Sequence, residues 1–180
     1  MKQPCWLLTA VIAIAASLAL AGCASQNLTT YANEKPVLDL AQYFNGRLDA
    51  HGMFQDRAGQ VVKRFSVVMD CTWNGDQGVL DEAFTYSDGT TQRRVWQLTK
   101  HADGHYTGTA GDIVGQAVGK TSGNVFHWYY TLNLPVDGKT YEVQMDDWMY
   151  LMDGKVMLNR TAMSKFGIHL GNITLAFSKR

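Results

Sequence analysis

Little in this sequence could staple a fold together. Proline and cysteine each occur three times in 180 residues. Two of the cysteines, Cys5 and Cys23, stand near the start, so Cys71 is alone in the body of the chain. No internal disulfide framework is available there, and stability must come from core packing. Cys71 lies in the run Phe65-Ser66-Val67-Val68-Met69-Asp70-Cys71-Thr72-Trp73, where it fits as a small buried hydrophobe. Neither sign of charge is in excess, with sixteen Lys and Arg against sixteen Asp and Glu. The basic residues are dispersed, and their densest pair, Arg93-Arg94, lies within an apparent strand. That dispersal excludes the clustered basic surface that nucleic acid requires. No long stretch holds a 3.6-residue apolar period, which excludes a helical bundle.

What is present begins at the N-terminus. Lys2 precedes an uncharged apolar run from Trp6 to Leu20, the composition of a secretory signal helix and too short for a spanning helix of about 20 apolar residues. The run ends Leu20-Ala21-Gly22-Cys23, which resembles the bacterial lipobox. The resemblance implies cleavage after Gly22 and acylation of Cys23. Each buried CH₂ contributes about 0.8 kcal/mol, so several chains on one cysteine anchor a protein firmly to a membrane. Residue 24 is Ala and not Asp, which by resemblance to sorted lipoproteins directs the chain to the periplasmic side of the outer membrane.

Removing residues 1–22 deletes Lys2 alone among the charges, leaving fifteen basic and sixteen acidic residues. The mature length suits one domain. Residues 23–37 are expected to form a flexible tether, being polar, lacking periodicity and containing Pro36. Residues 38–180 carry short aromatic and β-branched runs that predict strands at 46–54, 61–73, 79–87, 92–100, 104–110, 124–134, 140–151, 155–163 and 167–178. Ser87-Asp88-Gly89, Ala102-Asp103-Gly104, Val136-Asp137-Gly138 and Met152-Asp153-Gly154 supply Asp-Gly where tight hairpins need positive φ. Alternation in Tyr141, Val143, Met145 and in Ile173, Leu175, Phe177 gives each strand one apolar face. Eight or nine sequential antiparallel strands avoid exposed edges by closing into an up-and-down barrel, with an open curved sheet as the alternative.

Several motifs invite chemical readings. Gly115-Gln116-Ala117-Val118-Gly119-Lys120-Thr121 has three residues where a phosphate-binding loop has four, and the glycine-rich stretch 108–123 reads as a long connection or a bent strand pair. His101 and His105 flank a turn with no third ligand at metal spacing, and His51, His127 and His169 are isolated, so no metal or cofactor is expected. Asp146 and Asp147 on one strand point to opposite faces and cannot form a carboxylate pair. Glu82, Arg94, Asp112 and Asp147 each sit amid aromatic or glycine-rich sequence, where an inward charge demands a partner. They are candidates either for a structural ion network or for a polar handle on a ligand. Trp96 and Trp148, with Trp73, Trp128, Tyr129, Tyr130 and Tyr150, are core or the lining of a cavity. No Ser-His-Asp or Cys-His arrangement stands at recognisable spacing, so catalysis is not expected.

A set of motifs also resembles a family. Tyr43-Phe44-Asn45-Gly46, Gly52, Asp56-Arg57-Ala58-Gly59, Arg64-Phe65, Glu82-Ala83-Phe84-Thr85-Tyr86, Asp88-Gly89, Arg94-Val95-Trp96, Gly108-Thr109-Ala110-Gly111-Asp112, Asp146-Asp147-Trp148-Met149-Tyr150 and Lys165-Phe166-Gly167 resemble the proteobacterial lipoproteins grouped as domain of unknown function 3833. The resemblance implies a lipocalin-like barrel, supplies no catalytic residues, and points towards lipid through an association with membrane fatty-acid modification. The expected function is an anchored barrel that binds a fatty acid or another small apolar ligand. The alternatives are an accessory envelope protein acting through surface contacts with a protein partner, and a lipid-modifying enzyme.

Overall fold

Period-two alternation is clearest in the two strands that end near Leu151 and Lys165. Along Lys139–Leu151 the residues Val143, Met145, Asp147, Met149 and Leu151 are buried and their neighbours are not. The same rhythm recurs in Val156–Lys165, where Met157, Asn159, Thr161 and Met163 point inward. The computed structural model describes residues 26–180 and curls these half-buried strands into one wall. The signal segment and Cys23 lie outside the described residues.

Ten strands form the wall: β1 (Gly46–Asp56), β2 (Val61–Asn74), β3 (Gln77–Tyr86), β4 (Thr91–Lys100), β5 (His105–Thr109), β6 (Ile113–Ser122), β7 (Val125–Val136), β8 (Lys139–Leu151), β9 (Val156–Lys165) and β10 (Ile168–Lys179). Each pairs antiparallel with the next, and β1 pairs with β10 from Leu48↔Lys179 to Asp56↔Gly171, closing the barrel. Closure leaves no edge strand to template aggregation.

The count is ten, not eight or nine, because β6 hides in the glycine-rich stretch. Gly115 has φ +67° where the β6–β7 register shifts between Val114 and Val118. At Gly119 a Cβ would stand 2.4 Å from the His127 carbonyl oxygen and 2.5 Å from the Trp128 ring. The glycines that erase the β-propensity signal here are those that let the strand bulge and pass close under its neighbour. Three of the four Asp-Gly turns place glycine at positive φ, and Gly154 does not. In that turn the Asp153 carboxylate accepts from the N–H groups of Lys155 and Val156 at 2.7 and 2.8 Å.

A second departure lies before β1. Residues read as tether include a short 3-10 helix, Leu28–Tyr31, and Tyr31 packs edge-on to Tyr150, ring centroids 5.7 Å apart. The Leu38 N–H donates to the Gly123 carbonyl at 2.8 Å. A helical turn, α1 (Leu40–Tyr43), follows, capped by the Asp39 carboxylate accepting from the Gln42 N–H at 3.1 Å. Leu38, Leu40, Tyr43 and Phe44 are all buried, filling the end of the barrel where β1 begins and β10 finishes. The plug is bolted to the wall. Trp73 Nε1 donates to the Phe44 carbonyl at 2.8 Å, Tyr43 Oη to the Lys155 carbonyl at 3.0 Å, and Lys179 Nζ to the Gln42 carbonyl at 2.8 Å. No helix among the described residues is long and apolar enough to cross a membrane.

Candidate ligand-binding site

Two adjoining spaces occupy the barrel between the plug and the opposite, open end. An inner chamber of about 120 Å³ has Leu40 and Phe44 of the plug as its floor. An outer chamber of about 330 Å³ reaches the mouth between Phe54, Lys63, Tyr86, Leu134 and Val136. Phe65, Phe84, Arg94, Tyr130 and Ile173 line both and form the partition.

The partition is built by register. Glu82 on β3 stands directly opposite Arg94 on β4, so both side chains point to the same face. Asp112, in the connection before β6, meets the guanidinium side-on. Arg94 Nε lies 3.0 Å from both carboxylate oxygens and Nη2 lies 2.8 Å from Oδ2. Glu82 is farther, with Oε2 3.8 Å from Nη1. The guanidinium also rests over the Phe84 ring, 5.4 Å from its centroid. Burial works against the Arg94 charge, yet Glu82 and Asp112 outweigh it and keep the guanidinium protonated. Burial pushes Glu82 up to about 7 against the pull of Arg94.

Towards the mouth the polar chain continues. Gln92 Nε2 donates to Asp112 at 3.2 Å, Tyr86 Oη donates to Gln92 Oε1 at 2.7 Å, and Lys63 Nζ sits 4.6 Å above the Tyr86 ring. Towards the plug, Asp147 enters from β8 beside Tyr130, Asn159 and Thr161. Burial raises Asp147 to about 6, opposed by the hydroxyls of Thr161 and Tyr130. Burial likewise carries the Tyr130 hydroxyl well above its ordinary value, and Asp147 adds to the effect.

Four of the singled-out polar residues, Glu82, Arg94, Asp112 and Asp147, thus converge on one interior. Trp96 joins them, edge-on to Trp128 and Tyr130 at 5.7 and 5.4 Å. Trp148 does not. It lies on the outer wall, stacked on His127 at 4.2 Å, where Asp146 accepts from His127 Nε2 at 2.6 Å. Period-two geometry puts it there, because an inward Asp147 forces both neighbours outward. His101 and His105 stack on each other at 4.0 Å, with His101 Nε2 engaged by Thr107 Oγ1 at 2.8 Å and His105 Nδ1 by Asp103. Burial lifts the Cys71 thiol to about 12, leaving it a protonated packing group. Asn159 and Thr161 were not singled out from the sequence. Their signal was the alternation of polar residues between Met157 and Met163 on one strand face.

This arrangement can orient a polar group within apolar walls, and it offers hydrogen-bond acceptors and one guanidinium for that purpose. A family model described as "Protein of unknown function (DUF3833)" matches residues 17–179. The chain belongs to this family. The DUF3833 span therefore includes the plug, all ten strands and every residue of both chambers. No curated protein matches. Among solved structures, the S-type phycobiliprotein lyase CPES from Guillardia theta superposes with a TM-score of 0.59 at 8% identity, covering 86% of this chain and 97% of that one. That likeness shows a shared barrel fold. A de novo designed fluorescence-activating β-barrel matches with a TM-score of 0.44 at 12% identity, covering 79% of this chain and 99% of that one.

Proposed function

We propose that this DUF3833 member is an outer-membrane lipoprotein, anchored through Cys23 on the periplasmic side, whose barrel holds a fatty acid or another small apolar molecule. One observation carries the reading: the barrel is plugged at one end, open at the other, and hollow between. A purely structural barrel gains nothing from an unfilled interior, since empty space forfeits dispersion contacts. The outer chamber, at about 330 Å³, falls within the size range of small-molecule sites and is lined mainly by apolar side chains around a few polar ones. The reading is of a binder, and the buried acids serve orientation.

The test is uptake. All strand pairings and the whole core fall within Leu38–Lys179, so the barrel from Gln26 to Arg180 is a self-contained fold. That barrel should enhance the fluorescence of N-phenyl-1-naphthylamine with saturable, single-site binding, and release co-purifying lipid on solvent extraction. Absence of both overturns the carrier reading. Separately, Cys23→Ala in the full chain should abolish incorporation of labelled palmitate and leave an unprocessed precursor.

A surface-acting accessory role is favoured by a different observation. Phe166 and Ile168, at the turn between β9 and β10, are 87% and 58% exposed, and Val61 and Val62 are half-exposed at the start of β2. All four lie at the open end. Crosslinking in cells should recover one specific protein through this fringe if contact with a partner is the function.

A further inference from the structure

Among the described residues, three buried side-chain atoms lack any hydrogen-bond partner: Asn124 Oδ1, Asp147 Oδ1 and Asn159 Oδ1. Asn124 belongs to the turn before β7, away from the cavity. The other two line the inner chamber, with Asp147 and Asn159 only 4% and 5% exposed. Both orphans are acceptors. Asn159 spends its Nδ2 on Thr161 Oγ1 at 3.3 Å, which leaves its buried carbonyl oxygen without a donor at the chamber wall. Buried unpaired acceptors are costly and uncommon in native proteins, so two in one small chamber mark a place where a donor arrives.

The charges agree. Glu82 and Asp147 line the inner chamber with Arg94, and Asp112 bonds the same guanidinium from the side of the outer chamber. Arg94 is committed to Asp112 through its side-on pair and to Glu82 at 3.8 Å. An ionised carboxylate entering the chamber would be a fourth anion beside one cation already engaged, and like charges at close range repel. An ammonium or hydroxyl entering the same space would meet free acceptors.

We propose that the inner chamber receives the polar end of an amphiphile that donates hydrogen bonds and bears no negative charge, an amine or a hydroxyl, with Asp147 and Asn159 as its acceptors. This rests on the carrier reading and narrows its ligand class. The apolar tail lies in the outer chamber, past the side chains of the partition. A fatty acid enters the inner chamber only in its protonated form, in which its O–H is itself a donor.

Calorimetry with octylamine, octanol and octanoate on the barrel from Gln26 to Arg180 tests this at pH 8, where Asp147, raised to about 6, is ionised. Equal chain lengths hold the apolar contribution constant. Octylamine and octanol should bind at least tenfold more tightly than octanoate. Asp147→Asn should weaken octylamine about tenfold while leaving octanol within about threefold, and Asn159→Leu should weaken both. Thermal unfolding of each variant confirms that it folds. If octanoate binds as tightly as the other two, or if the variants leave the ranking unchanged, the donor assignment is overturned while uptake of the naphthylamine probe keeps the carrier reading intact. If neither the probe nor any amphiphile binds, the carrier reading falls and takes this assignment with it.

Discussion

The two ends of the barrel are made by the same ten strands and behave as opposites. At the plugged end Phe44 packs edge-on against Tyr43 and Phe177, with centroids at 5.1 and 5.4 Å, and neighbouring side chains bond the plug's carbonyls. At the open end Phe84 and Tyr86 stack at 6.0 Å with an interplanar angle of 14°, and their outer sides face the cavity. The difference comes from residues 38–44, which fold into one end and have no counterpart at the other among the described residues. A closed sheet by itself creates a tube, and a few residues at one mouth turn the tube into a cup.

The largest expected break in that contrast is Phe44→Ala. Removing a buried aromatic ring costs about 4 kcal/mol, and denaturant unfolding should report it as a lower midpoint at unchanged slope. Naphthylamine uptake should survive, because the outer chamber does not depend on the ring. Next comes Arg94→Met at the partition, expected to cost about 3 kcal/mol because it leaves buried Glu82 and half-buried Asp112 beside no cation. The loss should be smaller at pH 5, where Glu82 can protonate.

A third effect is the pH dependence of the partition itself. Glu82 has an ordinary value of 4.5 and stands at about 7 when folded, so between those values the folded state binds the proton and the unfolded state does not. Stability should therefore decline as pH rises from about 4.5 to about 7, by on the order of 2 kcal/mol. Glu82→Gln should remove that decline above about pH 6 in thermal melts and leave below it the part that Asp147, raised from 3.8 to about 6, contributes with the same sign. The exposed carboxylates Asp49, Asp81 and Asp88, pulled below their ordinary value by hydrogen bonds, act in a separate and more acidic window. The smallest effect is expected one residue from Arg94. Arg93 pairs with Asp81 on the solvent face, where its side chain is 70% exposed, and Arg93→Ala should change stability by less than about 1 kcal/mol.

Neighbouring residues with opposite fates show what could be read early. Glu82, Arg94, Asp112 and Asp147 stood out because charge among aromatics and glycines needs an explanation, and the interior supplies one. Trp148 was grouped with them on composition, although alternation alone separates it from Asp147. The plug was not anticipated, since a four-residue helix is too short to show a period, and its one local signal is Asp39 placed to cap. For β6 the sequence leaves open a long connection or a bent strand pair, because the five glycines from Gly108 to Gly123 mask a strand whose backbone must bulge and approach its neighbour closely.

By itself, the sequence determined that strands would alternate, that hairpins would link them in order, and that several charges would need buried partners. These are local matters, decided by the pleat of a strand and the φ angles of its turns. Only the tertiary structure decided that β1 would meet β10, that one mouth would be plugged, and that Arg94 would take Asp112 in preference to Glu82. The first two depend on contacts between segments more than a hundred residues apart, and the third, made between β4 and the connection before β6, depends on the space left over when ten strands have closed.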